Sequence, residues 1–217
     1  TWVLDEDGVL TISGEGEMED YHYDYSSASV TTPWYSERTK ITSVVVEPGV
    51  TSIGDFAFDG CSGLTSVSIP DGVTSIGSSA FSGCSGLTSV SIGEGVLSIG
   101  SSAFSGCSSL TSITIPEGVT SLEYWTFYNC TSLESVTLPE SLLRIAGEAS
   151  YTGVFENCTS LKNIVVPDSV TSIGSRAFYG CSSLTGVDIP MSVTSIGNAA
   201  FGGCSGLTSV DIPEGIT

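Results

Sequence analysis

Apolar side chains return along this chain in one fixed order. In residues 64–86, Val67 and Ile69 alternate with Ser66 and Ser68, the period-2 pattern of a strand with one buried face. Pro70 cannot donate to a ladder and Gly72 suits a turn, so the strand ends there. Residues 73–76 are rich in β-branched side chains and predict a second extended stretch. Ala80-Phe81 predicts one helical or 3₁₀ turn, after which Gly83 lets the chain turn back. One unit is therefore strand, turn, extended segment, short turn and return.

The same order recurs as L-x-x-V-x-I-P-x-G-V-T-S-I-G-x-x-A-F-x-G-C-S-x. Seven cysteines (61, 84, 107, 130, 158, 181 and 204) are spaced 23, 23, 23, 28, 23 and 23 residues apart. Seven of the eight phenylalanines (58, 81, 104, 127, 155, 178 and 201) share one position of the unit. From Ile41 there are seven complete units and a fragment, with a five-residue insertion near residues 147–153. A unit has eight inward candidates: Leu64, Val67, Ile69, Val73, Ile76, Ala80, Phe81 and Cys84. Burying these cannot offset the entropy of ordering the whole unit, so the stable object is a stack of coils, a solenoid. The cysteines then form a column. Coils about 4.8 Å apart would permit disulfides, but the odd count and the equivalent slots favour reduced thiols packed as small apolar groups over disulfide or metal chemistry.

Charge narrows the function classes. The 217 residues carry 5 Lys+Arg against 24 Asp+Glu, a net charge of −19, which argues against nucleic acid and anionic membranes as partners. No apolar run reaches the roughly 20 residues that span a bilayer, so no membrane insertion is expected. Thr1 is not a natural start, so the sequence reads as a mature or trimmed segment whose export signal is not legible in it. The last coil stops partway through a unit at residues 213–217, so further repeats or another domain are expected in the parent protein. The sequence assigns no oligomeric state.

The motifs L-x-x-V-x-I-P, G-V-T-S-I-G and A-F-x-G-C, repeated over residues 41–217, resemble the BspA-type (Treponema-type) leucine-rich repeat. The opening WVLDEDGVLTISGEGEM and the later PWY resemble the segment that often precedes such arrays in bacterial proteins. The resemblance implies an α/β leucine-rich-repeat solenoid dominated by β-structure: a curved right-handed coil with a parallel sheet on its concave face. It also implies an extracellular or bacterial cell-surface location and the binding of host or microbial macromolecules.

Residues 1–40 carry no repeat and read as an N-terminal capping segment before the array of 41–217. Residues 3–4 and 9–12 flank Asp5-Glu6-Asp7-Gly8, a β-hairpin turn that would cover the first coil. Eight of the 24 acids fall in the first 24 residues, but this stretch lacks the ligand spacing of an EF-hand and reads as a solvated acidic cap. A further column, Pro48, Asp71, Glu94, Glu117, Glu140, Asp168, Met191 and Glu214, reads as turn residues at a solvated edge.

Enzyme chemistry fails on inventory. The sole histidine, His22, has no assigned nucleophile beside it, and no phosphate loop, metal motif or cofactor motif is present. The outward strand positions are mostly Ser and Thr, without the Trp, Tyr or Arg that binding hot spots favour. The aromatic departures lie in units four to six. Tyr124, Trp125 and Tyr128 replace serines, Tyr151 sits in the insertion, Arg176 shares the column of Trp125, and Tyr179 shares that of Tyr128. They read either as repacking around the insertion or as a recognition patch for an extracellular protein or glycan. The triplets Asn129-Cys130-Thr131 and Asn157-Cys158-Thr159 match the N-glycosylation pattern but sit beside inward cysteines. A non-catalytic binding module is the leading reading, and a spacer or stalk presenting another domain is its rival.

Overall fold

The computed structural model describes residues 1–145 and 152–216. Each coil lays down two strands. The first row runs through Ser43–Val46, Ser66–Ile69, Ser89–Ile92, Ser112–Thr114 and Ser135–Thr137, all parallel. Their register follows the repeat: Ser66 faces Ser89, Val67 faces Val90 and Ile69 faces Ile92. Asn163–Val165 and Gly186–Asp188 resume the row as a separate pair beyond the insertion. The second row is built from two-residue strands, Ser52–Ile53, Ser75–Ile76 and Ser98–Ile99, then Ser121–Leu122, Arg144–Ile145, Ser172–Ile173 and Ser195–Ile196. The alternation read from sequence holds: Val67 and Ile69 are buried while Ser66 and Ser68 are exposed.

The third side of each coil differs from the helical or 3₁₀ turn expected at Ala80-Phe81. It is a run of tight turns, with N–H groups of Ala80, Ser82 and Cys84 donating to the carbonyls of Gly77, Ser79 and Phe81. Ser79 (φ 55°) and Gly83 (φ 69°) take left-handed conformations within this run. The physical reason lies in the neighbouring coil. The amides of Ser79, Phe81 and Gly83 point along the solenoid axis and donate to Ser101, Ala103 and Ser105 at 2.8, 2.8 and 2.7 Å. A helix would have consumed those donors internally. Asn129 (φ 56°) and Asn157 (φ 62°) replace Gly at one left-handed column, where Asn is the usual substitute, and Asn157 Nδ2 donates to Asn129 Oδ1 at 3.1 Å.

Inside, the phenylalanines form one stack from Phe58 to Phe201, with ring centroids 5.2 to 5.6 Å apart. The seven cysteines are buried free thiols. Six of them also donate to the phenylalanine carbonyl of the preceding coil, as Cys84 does to Phe58 at 3.1 Å and Cys107 to Phe81 at 3.2 Å. The slot therefore takes a small apolar group that carries a weak donor. Burial pushes the Cys61, Cys130 and Cys181 thiols up to about 12.

The first coil is closed by the non-repeating N-terminal stretch. Trp2–Leu4 pairs antiparallel with Val9–Ile12, and Val9–Ile12 pairs parallel with Ser43–Val46, so the hairpin extends the first row. Asp5 spends its carboxylate within the turn, accepting from the Asp7 and Val9 amides. Trp34, which sequence reading did not single out, heads the phenylalanine stack with its ring 6.0 Å from that of Phe58. Its indole N–H donates to Ala57 O at 2.8 Å, and the Tyr21 amide donates to Asp55 O at 3.0 Å. The equivalent carbonyls of the next coil, Ser78 O and Ala80 O, accept instead from the Phe56 and Phe58 amides of the coil before. A 3₁₀ helix at Tyr35–Lys40 then leads into the first strand of the array.

Two outcomes follow from this core. Reductant should leave the thermal midpoint unchanged, whereas alkaline pH should lower it. An unfolded thiol ionises near 9, while the folded ones hold their protons to about 12. The stability they contribute is complete below pH 9 and is lost as pH rises toward 12. Denaturation curves between pH 8 and 11 check this, and a flat midpoint across that range would contradict it. Separately, Trp34→Phe keeps a ring on Phe58 but strands the Ala57 carbonyl, costing about 1–3 kcal/mol. Trp34→Ala should cost about 3–5 kcal/mol in the same urea titration.

Candidate binding surface

Several acids of the turn column bond across coils. Asp71 Oδ1 accepts the Glu94 amide at 3.0 Å, and Glu117 accepts the amides of Glu140 and Ser141 at 3.0 and 3.2 Å. These carboxylates hold neighbouring coils together, as expected of turn residues. The threonines preceding the strands are used in the same way, with Thr65, Thr88 and Thr111 each bonding the carbonyl of its counterpart one coil earlier. The outward strand serines and threonines form an exposed, uncharged face.

The irregular coil begins at Glu123. In the corresponding column most units have Gly, for a steric reason. A Cβ at Gly77 would lie 2.5 Å from the Asp55 nitrogen, and one at Gly100 would lie 2.6 Å from that of Ser78. Glu123 puts a side chain there, and the second row divides at this point, between Ser98–Ile99 and Ser121–Leu122. A groove of about 380 Å³ runs along the second row up to the break, lined by Ser52, Ser75, Ser98 and Ser121, with Asp20 and Asp55 at one end and Glu123 at the other. Neither Glu123 nor this groove was singled out from the sequence. An acid in a glycine column was the available signal.

The aromatic departures follow directly. Tyr124 and Trp125 are 40% and 39% exposed, so both rings reach the surface. Their rings are 6.2 Å apart, and Trp125 lies 5.9 Å from Tyr128. The backbone beneath is held by the same ladder as elsewhere: Ser102, Phe104 and Gly106 donate to the Tyr124, Thr126 and Tyr128 carbonyls. Trp125 (φ 57°) sits in the left-handed column that also contains Ser79, Ser102 and Arg176. Thr126, which takes the place of the repeat's Ala, is buried and satisfied by donating to Glu123 O at 2.7 Å. Three rings are thus fixed on a rigid turn.

Arg176 and Tyr179 form a second cluster. The guanidinium lies 4.7 Å from the Tyr179 ring centroid and donates to Glu156 Oε1 at 3.1 Å. Glu156, also missed from sequence, occupies the column between Tyr128 and Tyr179, and its side chain is 9% exposed. It also accepts the Gly153 amide at 3.2 Å. Arg176 is therefore engaged by an acid and an aromatic face, not free as a fork for ligand. Tyr151, the remaining expected site residue, lies outside the described residues. Among the described residues no group of three or more His, Cys, Asp or Glu side chains is arranged to hold a metal ion.

A family model described as the BspA type leucine rich repeat region matches residues 32–152 and 151–217, in six copies. Among solved structures, a leucine rich repeat protein of T. pallidum is 26% identical, with a TM-score of 0.57 over 99% of this chain and 80% of that one. A leucine-rich repeat protein from Eubacterium ventriosum is 21% identical, with a TM-score of 0.53 over 100% and 89%. The pneumococcal vaccine antigen PcpA is 15% identical, with a TM-score of 0.53 over 100% and 71%. The last two likenesses bear on the fold alone. No curated protein matches the chain.

Removing the guanidinium tests the account of Glu156. Arg176→Met leaves that carboxylate with the Gly153 amide and should destabilise the fold by about 1–3 kcal/mol. Adding Glu156→Gln should recover part of the loss. Equal midpoints for Arg176→Met and the parent in urea would show that the pair carries no stability.

Proposed function

The chain belongs to the BspA-type leucine-rich-repeat family, and from that membership we propose that it is a non-catalytic binding module of the bacterial cell surface or exterior. Its ligand on this reading is an extracellular protein or glycan. The observation that carries the proposal is the cluster of exposed Tyr124 and Trp125 with half-buried Tyr128, on a turn bonded to the preceding coil beside the break in the second row. Aromatic rings supply large contact area at little cost in rotamer entropy, which suits a sugar face or a protein hot spot. Arg176 and Tyr179 form the flank, held in place by Glu156. The strand face supports this choice by contrast, since its serines and threonines offer no anchor. That same uniform face favours the rival reading, a spacer that presents another domain.

A screen of this segment against glycans and extracellular proteins separates the two readings. A binding module yields a ligand, and its affinity should fall at least about tenfold in Trp125→Ala and Tyr128→Ala. Ser89→Ala and Thr114→Ala on the strand face should leave it unchanged. Equal affinities across all four variants would move the site away from the aromatic cluster, and a screen without ligands would favour the spacer.

A further inference from the structure

The cap borders a pocket of about 310 Å³ at the N-terminal end of the array, between the hairpin and the extended stretch that follows it. Its walls include Trp2, Met18, Tyr21 and Trp34, and its rim carries Glu15, Glu17 and Glu19. Trp34 is buried, with the rings of Trp2 and Tyr21 set edge-on to it at 5.8 and 5.6 Å. The volume lies at the lower end of the range for small-ligand sites, roughly 300–1,000 Å³. It suits one long side chain better than a folded epitope.

We propose that this cap pocket receives a lysine or arginine side chain presented by a protein partner. Two halves of such a side chain meet two halves of the pocket. The aliphatic stem packs on Met18 and the exposed Trp2 ring, as long basic side chains do on apolar surface. The charged head meets aromatic π-systems and the glutamate rim, both of which attract cations.

Among the described residues no Lys or Arg side chain lines this pocket. The ion pairs among them are Lys40–Glu37, Lys162–Glu134 and Arg176–Glu156, none with a lining residue. Arg38 lies over the Tyr35 ring and bonds its carbonyl. Burial, and then the nearby Glu19 carboxylate, keep the Tyr21 phenol above its ordinary pKa, so it remains a neutral hydroxyl beside the rim. An anionic ligand would meet the rim as well as a net charge of −19, whereas a basic one is steered by both.

The test uses the 217-residue chain and three capped peptides: acetyl-Gly-Lys-Gly-amide, its arginine counterpart and its norleucine isostere. The indole N–H resonances of Trp2 and Trp34 report on binding, with that of Trp125 as the internal control. Saturable shifts at Trp2 and Trp34 are expected with the two basic peptides, not with norleucine. They should weaken at least tenfold in Glu17→Gln/Glu19→Gln, whose unchanged thermal midpoint establishes folding, and persist in Trp125→Ala. That last variant keeps this site separate from the aromatic cluster, so either can fail alone. The proposal is overturned if the basic peptides do not saturate, if norleucine binds equally, or if the double glutamine variant binds as the parent does.

Discussion

On the turn side of each coil alternate amides point one way along the solenoid axis and the carbonyls that accept such amides point the other. Phe56, Phe58 and Gly60 donate to Ser78, Ala80 and Ser82, and the next coil repeats the pattern toward Ser101, Ala103 and Ser105. In a parallel β-ladder each strand both gives to and takes from each neighbour, so its dipoles largely cancel. Here they add, as in a helix. A coil can therefore join only in one orientation. The first coil would present bare carbonyls at Asp55 and Ala57, so its cover must bring donors. The Tyr21 amide and the Trp34 indole are those donors. The cap is thus matched to the polarity of the array as well as to its apolar end.

The same ladder explains the repetition of the core. Once each coil is pinned to the next at several backbone bonds, equivalent side chains meet at nearly constant spacing. Phenyl rings stack, thiols reach the carbonyl one coil back, and glycines allow backbones to approach. Any departure must then be absorbed by a ladder. The second row breaks at Glu123 and the first row divides across the insertion, so the coil carrying Tyr124, Trp125 and Tyr128 lies between two interruptions. There the strand rows lapse while the turn-side ladder continues, and side chains unlike those of the other coils are accommodated.

Periodicity made the strands, the phenylalanine stack and the thiol column legible in the sequence, because each is one residue type at one spacing. The turn was less so. Ala80-Phe81 and a flanking glycine suit a helical turn equally well, and the choice is made by donors needed in the adjacent coil. Trp34 escaped notice because it stands 24 residues before Phe58, one out of step with the 23-residue period. The aromatic cluster was readable by comparing units. Its supports were not, since Glu156 and Arg176 are 20 residues apart in sequence and meet only because columns on adjacent coils are staggered.

Backbone ladders, stacked rings and buried thiols hold the coils together, so ion pairs have little part in the fold. That leaves surface charge free to vary. A globule held by salt bridges could not tolerate 24 acids against 5 bases without leaving most of its carboxylates unmatched. Here several acids accept amides from the next coil, as Asp55, Asp71 and Glu117 do, which satisfies them without cations. The remaining acids repel one another modestly across solvent. Their summed field reaches beyond contact distance and selects among partners before any contact forms. It disfavours polyanions, admits neutral surfaces and draws in basic ones. On the proposed binding reading, specificity rests on the places where rings emerge from an otherwise hydroxyl-rich surface.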